Sequence, residues 1–154
     1  MATHPFVGID APFLLAHTLI EHPDHSNAKA WLEHLLAHKT ILALCPIIFD
    51  KFIHVATDAK RFENSLPIEQ ALGVVRTWIQ SRETVLQLPT NESLRLQYEW
   101  LVRYRLSRKR IHDTSIAAIY YQHGVEKILT SNVRDYTVIE GIETLDQSKP
   151  PRAQ

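Results

Sequence analysis

The chain has 154 residues, 45% of them hydrophobic and 22% charged, which is the composition of a soluble globular domain with a core of its own. Its 17 basic and 17 acidic residues cancel, so net charge indicates no class of partner. A single cysteine excludes an internal disulfide. Without a signal-peptide pattern or an apolar run near the roughly 18 residues that span a bilayer, we expect a cytoplasmic protein with no membrane segment.

Apolar runs and helical patterns alternate along the chain. Runs of four or five apolar residues predict buried strands, and longer runs with three- and four-residue spacing predict helices. In chain order we predict a strand at Phe6–Ile9, helices at Phe13–Ile20 and Ser26–Ala37, a strand at Thr40–Leu44, helices at Ile47–Ala56 and Pro67–Ser81, a strand at Thr84–Leu88, a helix at Glu92–Arg105 capped by Asn91, a helix from Asp113 to Gly124, and strands at Lys127–Thr130 and Gly141–Leu145.

This alternation predicts an α/β fold in which a central parallel sheet of four to five strands is flanked by helices on both faces. We expect one domain over residues 1–146, because no linker, repeat or low-complexity segment interrupts it. Residues 147–154 are poor in apolar side chains and rich in proline, and we expect them to form a flexible tail.

Four acidic residues stand near the strand ends where ligands usually bind in such sheets. Asp10 ends the first strand, Asp50 lies early on the helix after the second, and Asp113 opens the helix before the fourth. Asp135 follows the fourth strand, together with Asn132. An acid at a helix start is ordinarily a cap, so each has a structural alternative. Asp50, between two phenylalanines, must face outward or meet a cation or a metal.

If these acids converge, positive charge must balance them. Two unit charges about 4 Å apart repel by on the order of 4 kcal/mol at an effective dielectric of 20. Mg²⁺ and Mn²⁺ bind one or two carboxylates and keep several waters, and such an ion can activate water against a phosphodiester. The pattern is therefore compatible with metal-assisted hydrolysis.

Three stretches resemble, in order, the PIN-domain ribonucleases, and among them the VapC-type toxins of toxin–antitoxin pairs. They are VGID with FLLA at 7–10 and 13–16, CPIIFDKFIHVAT at 45–57, and HDTSIAAIYYQHGVEKILTSNVRDY at 112–136. The last is the most specific, because a His-Asp-x-x-Ile-Ala-Ala helix followed by Thr-x-Asn-x-x-Asp-aromatic is typical there. The resemblance spans about residues 6–146. It implies a PIN-like three-layer fold and a Mg²⁺- or Mn²⁺-dependent endoribonuclease, usually a homodimer, inhibited by a cognate antitoxin.

Carried over position by position, the resemblance implies five catalytic residues. Asp10 and Asp113 match the two acids most directly tied to the metal, and Asp50 stands where the family usually has glutamate. Asn132 and Asp135 both lie in the loop that provides the fourth polar or acidic ligand, and the sequence does not separate them.

Two further residues are expected to support the site. Thr130 could hydrogen-bond Asp10 or a metal-bound water, as the equivalent hydroxyl of the family does. His112, next to Asp113, could contact a scissile phosphate, although a capping or surface histidine is at least as good an interpretation.

A basic cluster lies immediately before Asp113, with five cations at residues 103–110 and Tyr104 placed to stack on a base. Cations beside an acidic pocket suit a phosphate backbone. A solvated helix end, with cations favoured by its dipole, is the structural alternative. We predict that RNA contacts four of these cations: Arg105, Arg108, Lys109 and Arg110.

The chain departs from the family beside the expected metal. The family follows its first aspartate with Thr or Ser and then Asn, whereas this chain has Ala11 and Pro12. Asp50 is also one methylene shorter than glutamate. Because either change could lower activity, the alternative function is a catalytically weak or inactive PIN-like module that binds RNA or a protein partner.

Overall fold

The computed structural model describes residues 4–152. Its strands are β1 (Phe6–Ile9), β2 (Ile41–Leu44), β3 (Thr84–Leu86), β4 (Lys127–Thr130) and β5 (Glu143–Asp146). Its helices are α1 (Ala11–Thr18), α2 (His25–Ala37), α3 (Pro46–Ala56), α4 (Ile68–Gln80), α5 (Asn91–Arg103), α6 (Ile111–Gln122) and α7 (Val133–Thr137), with a 3-10 turn at Arg108–Arg110. Across this described range, every helix is too short or too polar to cross a bilayer.

All five strands are parallel, in the order β3-β2-β1-β4-β5, as the α/β prediction requires. At the centre, Gly8 of β1 pairs with Ala43 of β2 and Ile128 of β4. The chain moves outward from β1 in one direction through β2 and β3 and in the other through β4 and β5. The topological switch point, where ligands bind in such sheets, therefore lies at the carboxyl end of β1.

β1 and β2 are apolar along their whole length, and β4 is apolar at Ile128 and Leu129, because helices cover both faces of the sheet. Ile9, Leu44 and Leu129 are fully buried, and so are Phe13 of α1 and Phe52 of α3, which pack over the sheet. β1, β2 and β4 lead at the same edge into α1, α3 and α7. The core therefore fixes where the first residues of these three helices lie.

The structure shifts several predicted boundaries. Asn132 and Asp135 were expected in one loop, but Asn132 is the residue before the short helix α7 and Asp135 lies within this helix. α5 begins at Asn91, and the side chain that caps it is Thr90 rather than Asn91, because Thr90 accepts the Ser93 N–H. α1 begins at Ala11, directly after Asp10, so Asp10 itself caps this helix.

The first residues of the expected tail make specific contacts. Gln147 is fully buried and donates its amide to the Pro12 carbonyl at 3.1 Å. The indole of Trp31 on α2 donates to the Lys149 carbonyl at 2.7 Å. These contacts join residues 147–149 to α1 and α2, the flexibility of the tail stays a prediction, and residues 153 and 154 lie outside the described residues.

Candidate functional site

Asp10 lies at the switch point and is fully buried. Its Oδ1 accepts the backbone N–H of Ala11 at 2.9 Å, and its Oδ2 accepts the hydroxyl of Thr130 at 2.7 Å. Burial raises the pKa of Asp10 above its ordinary value, although the charge of Lys51 and the Thr130 hydrogen bond oppose this effect. Of the two partners considered for the Thr130 hydroxyl, Asp10 and a metal-bound water, the structure shows the hydrogen bond to Asp10.

Asp113 lies in the first turn of α6, 6% exposed, and faces the same edge. Its partner is Lys51 on α3, whose Nζ donates to Asp113 Oδ1 at 2.8 Å. Burial acts to lower the pKa of Lys51. The hydrogen bond to Asp113 and the charges of Asp10, Asp113 and Asp135 outweigh that effect and raise this pKa. One ammonium therefore interacts with three carboxylates.

Asp135 on α7 is the third acid of this group. Its Oδ1 lies 2.8 Å from Nη1 of Arg110. Burial raises the pKa of Asp135 and the neighbouring carboxyl group of Asp113 raises it further, while the charges of Arg110 and Lys51 oppose the effect. Asn132 is exposed, and its backbone N–H, rather than its amide, reaches the Thr130 hydroxyl at 2.9 Å. Of the two candidates for the fourth position, the structure thus brings Asp135 into the group and leaves Asn132 outside.

Asp50 was expected in the site, but it is exposed on α3. The helix buries Ile48, Phe49 and Phe52 against the core, and Asp50 lies away from this apolar stripe. Successive residues of a helix are rotated by about 100°, so the next residue, Lys51, points into the pocket instead. The structure therefore replaces an expected carboxylate with a cation.

The sequence contained a signal for this exchange that was missed. The helical neighbours of Lys51 three residues before and four residues after it are Ile48 and Val55, both apolar and at least partly buried. The neighbours of Asp50 at the same two offsets are Ile47, which is partly buried, and His54, which is polar and exposed. Neighbour burial favours Lys51 as the residue that faces inward.

Tyr136 is a second residue whose place the sequence did not reveal. Its hydroxyl is buried and has no hydrogen-bond partner of good geometry among the described residues. Burial raises the pKa of this phenol well above its ordinary value, and the charges of Asp10 and Asp113 add to the effect. A phenolic hydroxyl thus lies beside the acids without a partner of its own.

The predicted RNA contacts divide into two groups. Arg110 is half-buried and paired with Asp135, so it belongs to the pocket. The side chains of Arg105, Arg108 and Lys109 are exposed on the segment that leads into α6, and so is His112. The structure therefore keeps a basic rim beside the acids.

The donor set does not fit the expected Mg²⁺ or Mn²⁺ while Lys51 stays in place. Both oxygens of Asp10 already accept hydrogen bonds, and Asp113 accepts the ammonium. In residues 4–152, no three His, Cys, Asp or Glu side chains are grouped as a metal site requires. A divalent ion about 4 Å from the ammonium would be repelled by roughly 8 kcal/mol at an effective dielectric of 20. Asp10 and Asp113, the expected ligands, lie at the same edge, but Asp113 is already paired with the ammonium of Lys51.

Comparisons with known proteins place this fold. No protein-family model and no curated sequence matches the chain. VapBC-1 from nontypeable Haemophilus influenzae matches with a TM-score of 0.66 at 14% identity, covering 94% of this chain and 99% of that one. VapBC2 from Rickettsia felis, bound to a promoter DNA fragment, matches with a TM-score of 0.66 at 11% identity. The match covers 92% of this chain and 98% of that one. Mycobacterium tuberculosis VapC20, a toxin that cleaves the sarcin-ricin loop, matches with a TM-score of 0.60 at 17% identity. The match covers 79% of this chain and 86% of that one.

The matches extend over most of both chains, and all three structures contain or are VapC-type toxins. At such low identities the likeness concerns the backbone, and here it agrees with the five parallel strands and with the acids at their carboxyl edge. The chain therefore has the PIN-domain fold of the VapC-type toxins.

Proposed function

We propose that this chain is an RNA-directed protein of toxin–antitoxin type, which binds the phosphate backbone along its basic rim and presents it to the acidic pocket. The observation that carries the proposal is the position of the exposed cations Arg105, Arg108 and Lys109, directly before Asp113 in the chain. The Arg110–Asp135 ion pair joins this rim to the pocket.

Electrostatics supports RNA as the ligand. Exposed cations supply the salt-dependent attraction to phosphates, and they attract a backbone in any sequence. The half-exposed ring of Tyr104 lies in the same segment, where it can stack on an unpaired base. VapC20, which has a similar fold, is a toxin that cleaves the sarcin-ricin loop, and this supports RNA as the ligand.

RNA binding can be measured by fluorescence anisotropy with a labelled mixed-sequence RNA at several salt concentrations. Replacing Arg108 and Lys109 together with glutamine is expected to weaken binding and to lower the slope of log K against log salt by about 1.4, since each single-strand phosphate contact adds roughly 0.7. An unchanged slope would remove the rim from the proposal.

The matched control replaces two exposed cations away from the rim, Arg76 and Arg82, with glutamine. It removes the same net charge, so long-range attraction falls equally in both double variants. If the control weakens RNA binding as much as the rim variant, the attraction is non-local and the proposed contact is contradicted.

Metal-dependent endoribonuclease activity is the second candidate, and the convergence of Asp10, Asp113 and Asp135 favours it. The Lys51–Asp113 ion pair favours instead the weak or inactive RNA-binding module. Incubating the chain with mixed-sequence RNA in Mg²⁺, Mn²⁺ or EDTA separates the two. Cleavage that needs metal and is lost in Asp113→Asn would establish the nuclease, while RNA binding without cleavage would establish the module.

A cognate antitoxin and a second copy of the chain belong to the same proposal. VapBC-1 and VapBC2 are complexes of a toxin with its antitoxin. In this chain α1, α2 and α4 border an apolar groove of about 190 Å³, lined in part by His17, Leu32, Leu36 and Trp78, and we propose that the antitoxin binds there. Light scattering of the purified chain, alone and co-expressed with the product of a neighbouring short gene, tests both associations.

A further inference from the structure

We propose that Lys51 is the built-in cation of the acidic pocket, that it holds the carboxylates together in place of a divalent ion, and that it excludes such an ion from the wild-type protein. The inference concerns the charge of the pocket and holds whether or not RNA is its ligand. If it is correct, the side chain at position 51 determines whether the pocket binds a divalent ion.

The contact is direct. Lys51 Nζ lies 2.8 Å from Asp113 Oδ1, the distance of a charge-assisted hydrogen bond. Asp113 has only 9% of its side chain exposed, while Lys51 has 33%, so the carboxylate is nearly closed to solvent and its partner is less so. An ion bound to Asp113 would therefore lie close to the positive charge of Lys51.

The backbone explains why this cation stays in the pocket. α3 follows β2 at the carboxyl edge of the sheet, and its buried residues Ile48, Phe49 and Phe52 fix the rotation of the helix. Lys51 is thereby directed toward Asp113 while Asp50 is directed to solvent. The cation is therefore supplied by packing of the helix rather than by a mobile surface side chain.

Lys51 halves the net negative charge that the pocket would otherwise carry. Asp10, Asp113 and Asp135 bring three negative charges, and Lys51 and Arg110 bring two positive ones, which leaves a single net negative charge. Without Lys51 the same pocket holds two, and Asp113 loses its partner. A pocket of that charge, with free carboxylate oxygens, is what hard divalent ions bind.

The test measures binding of Mn²⁺ alone to the metal-stripped full chain, by loss of the free-ion electron paramagnetic resonance signal and by calorimetry. Wild type is expected to bind Mn²⁺ no more tightly than about 1 mM. Lys51→Glu is expected to bind at least about tenfold more tightly, and Asp113→Asn in that background should remove the gain. Mn²⁺ should also raise the melting temperature of Lys51→Glu and leave that of wild type unchanged.

Three further variants complete the test. Lys51→Arg keeps the positive charge and should exclude Mn²⁺ as wild type does. Lys51→Gln removes the charge without adding a carboxylate, should bind Mn²⁺ more tightly than wild type, and tests the inference if Lys51→Glu fails to fold. Lys60→Glu introduces the same charge change at an exposed position of the same half of the chain and should leave Mn²⁺ binding unchanged. The inference is overturned if wild type binds Mn²⁺ as tightly as Lys51→Glu, or if Lys51→Glu binds no better than wild type. Loss of RNA binding alone would bear on the proposed function and not on this inference.

Discussion

Gly8 is a residue whose missing side chain positions the pocket. A Cβ at this place would lie 2.5 Å from Cδ2 of Tyr120, closer than real contacts allow. The tyrosine ring is fully buried, and its hydroxyl donates to the Ile9 carbonyl at 2.5 Å, so it cannot easily move away. The Gly8–Tyr120 contact therefore holds the end of β1, which carries Asp10.

Gly8→Ala is expected to lower the free energy of unfolding by about 1–3 kcal/mol, the usual effect of overpacking a core. Urea denaturation followed by tryptophan fluorescence measures it. Gly73→Ala is the control, because a Cβ at Gly73 on α4 meets nothing within 4 Å. There alanine should stabilise the helix by about 0.5–1 kcal/mol. Equal effects at the two glycines would contradict the close approach of Tyr120.

At the scale of the element, α5 determines where the basic rim starts. Thr90 accepts the Ser93 N–H at 3.0 Å, and Ser93 Oγ accepts the Thr90 N–H at 2.8 Å, which forms a capping box. Near its other end, Trp100 meets Tyr121 of α6 edge-on, with ring centroids 5.5 Å apart. The cap and this contact set the orientation of the helix that leads to the cations before Asp113.

Thr90→Ala is expected to destabilise the chain by about 1 kcal/mol, because the first N–H groups of α5 lose their acceptor. Asn91→Ala should stay within about 0.5 kcal/mol of wild type, because Asn91 lies one residue inside the helix and its side chain is exposed. Chemical denaturation of both variants measures the difference. A larger loss of stability in Asn91→Ala than in Thr90→Ala would indicate that Asn91 caps α5, as the sequence predicted.

At the scale of the whole molecule, two histidines make stability depend on pH. His17 lies between α1 and α4, stacked on Phe13 at 6.0 Å and edge-on to Trp78 at 5.6 Å. Burial lowers the pKa of His17, and the charges of His25 and Lys29 lower it further. The pKa of His22 is lowered as well, first by burial. The fold therefore disfavours the charged form of both imidazoles.

A histidine with a lowered folded-state pKa takes up its proton more readily when the chain is unfolded. The free energy of unfolding should accordingly fall as pH drops below about 6.5, the ordinary value for histidine. Guanidinium denaturation at pH 7.5 and 5.5 measures the fall. His17→Gln should show a smaller fall than wild type, while an identical fall in both would assign the pH dependence to other groups.

The sequence by itself determined the elements, their order and the strand ends at which Asp10 and Asp135 stand. Four-residue apolar runs predict strands, and β4 begins and ends where predicted, at Lys127 and Thr130. Runs apolar on both faces predict a parallel sheet covered on both sides, which is what forms. These properties depend on residues near one another in the chain, so local patterns are sufficient to reveal them.

Only the tertiary structure decided which side chains meet. It turned Lys51 inward and Asp50 outward, selected Asp135 over Asn132, and drew Arg110 from the expected RNA surface into an ion pair. The physical reason is that helix rotation depends on what each helix buries against its neighbours, and one residue of difference rotates a side chain by about 100°. Whether the pocket contains an acid or a cation at this place is decided by that rotation.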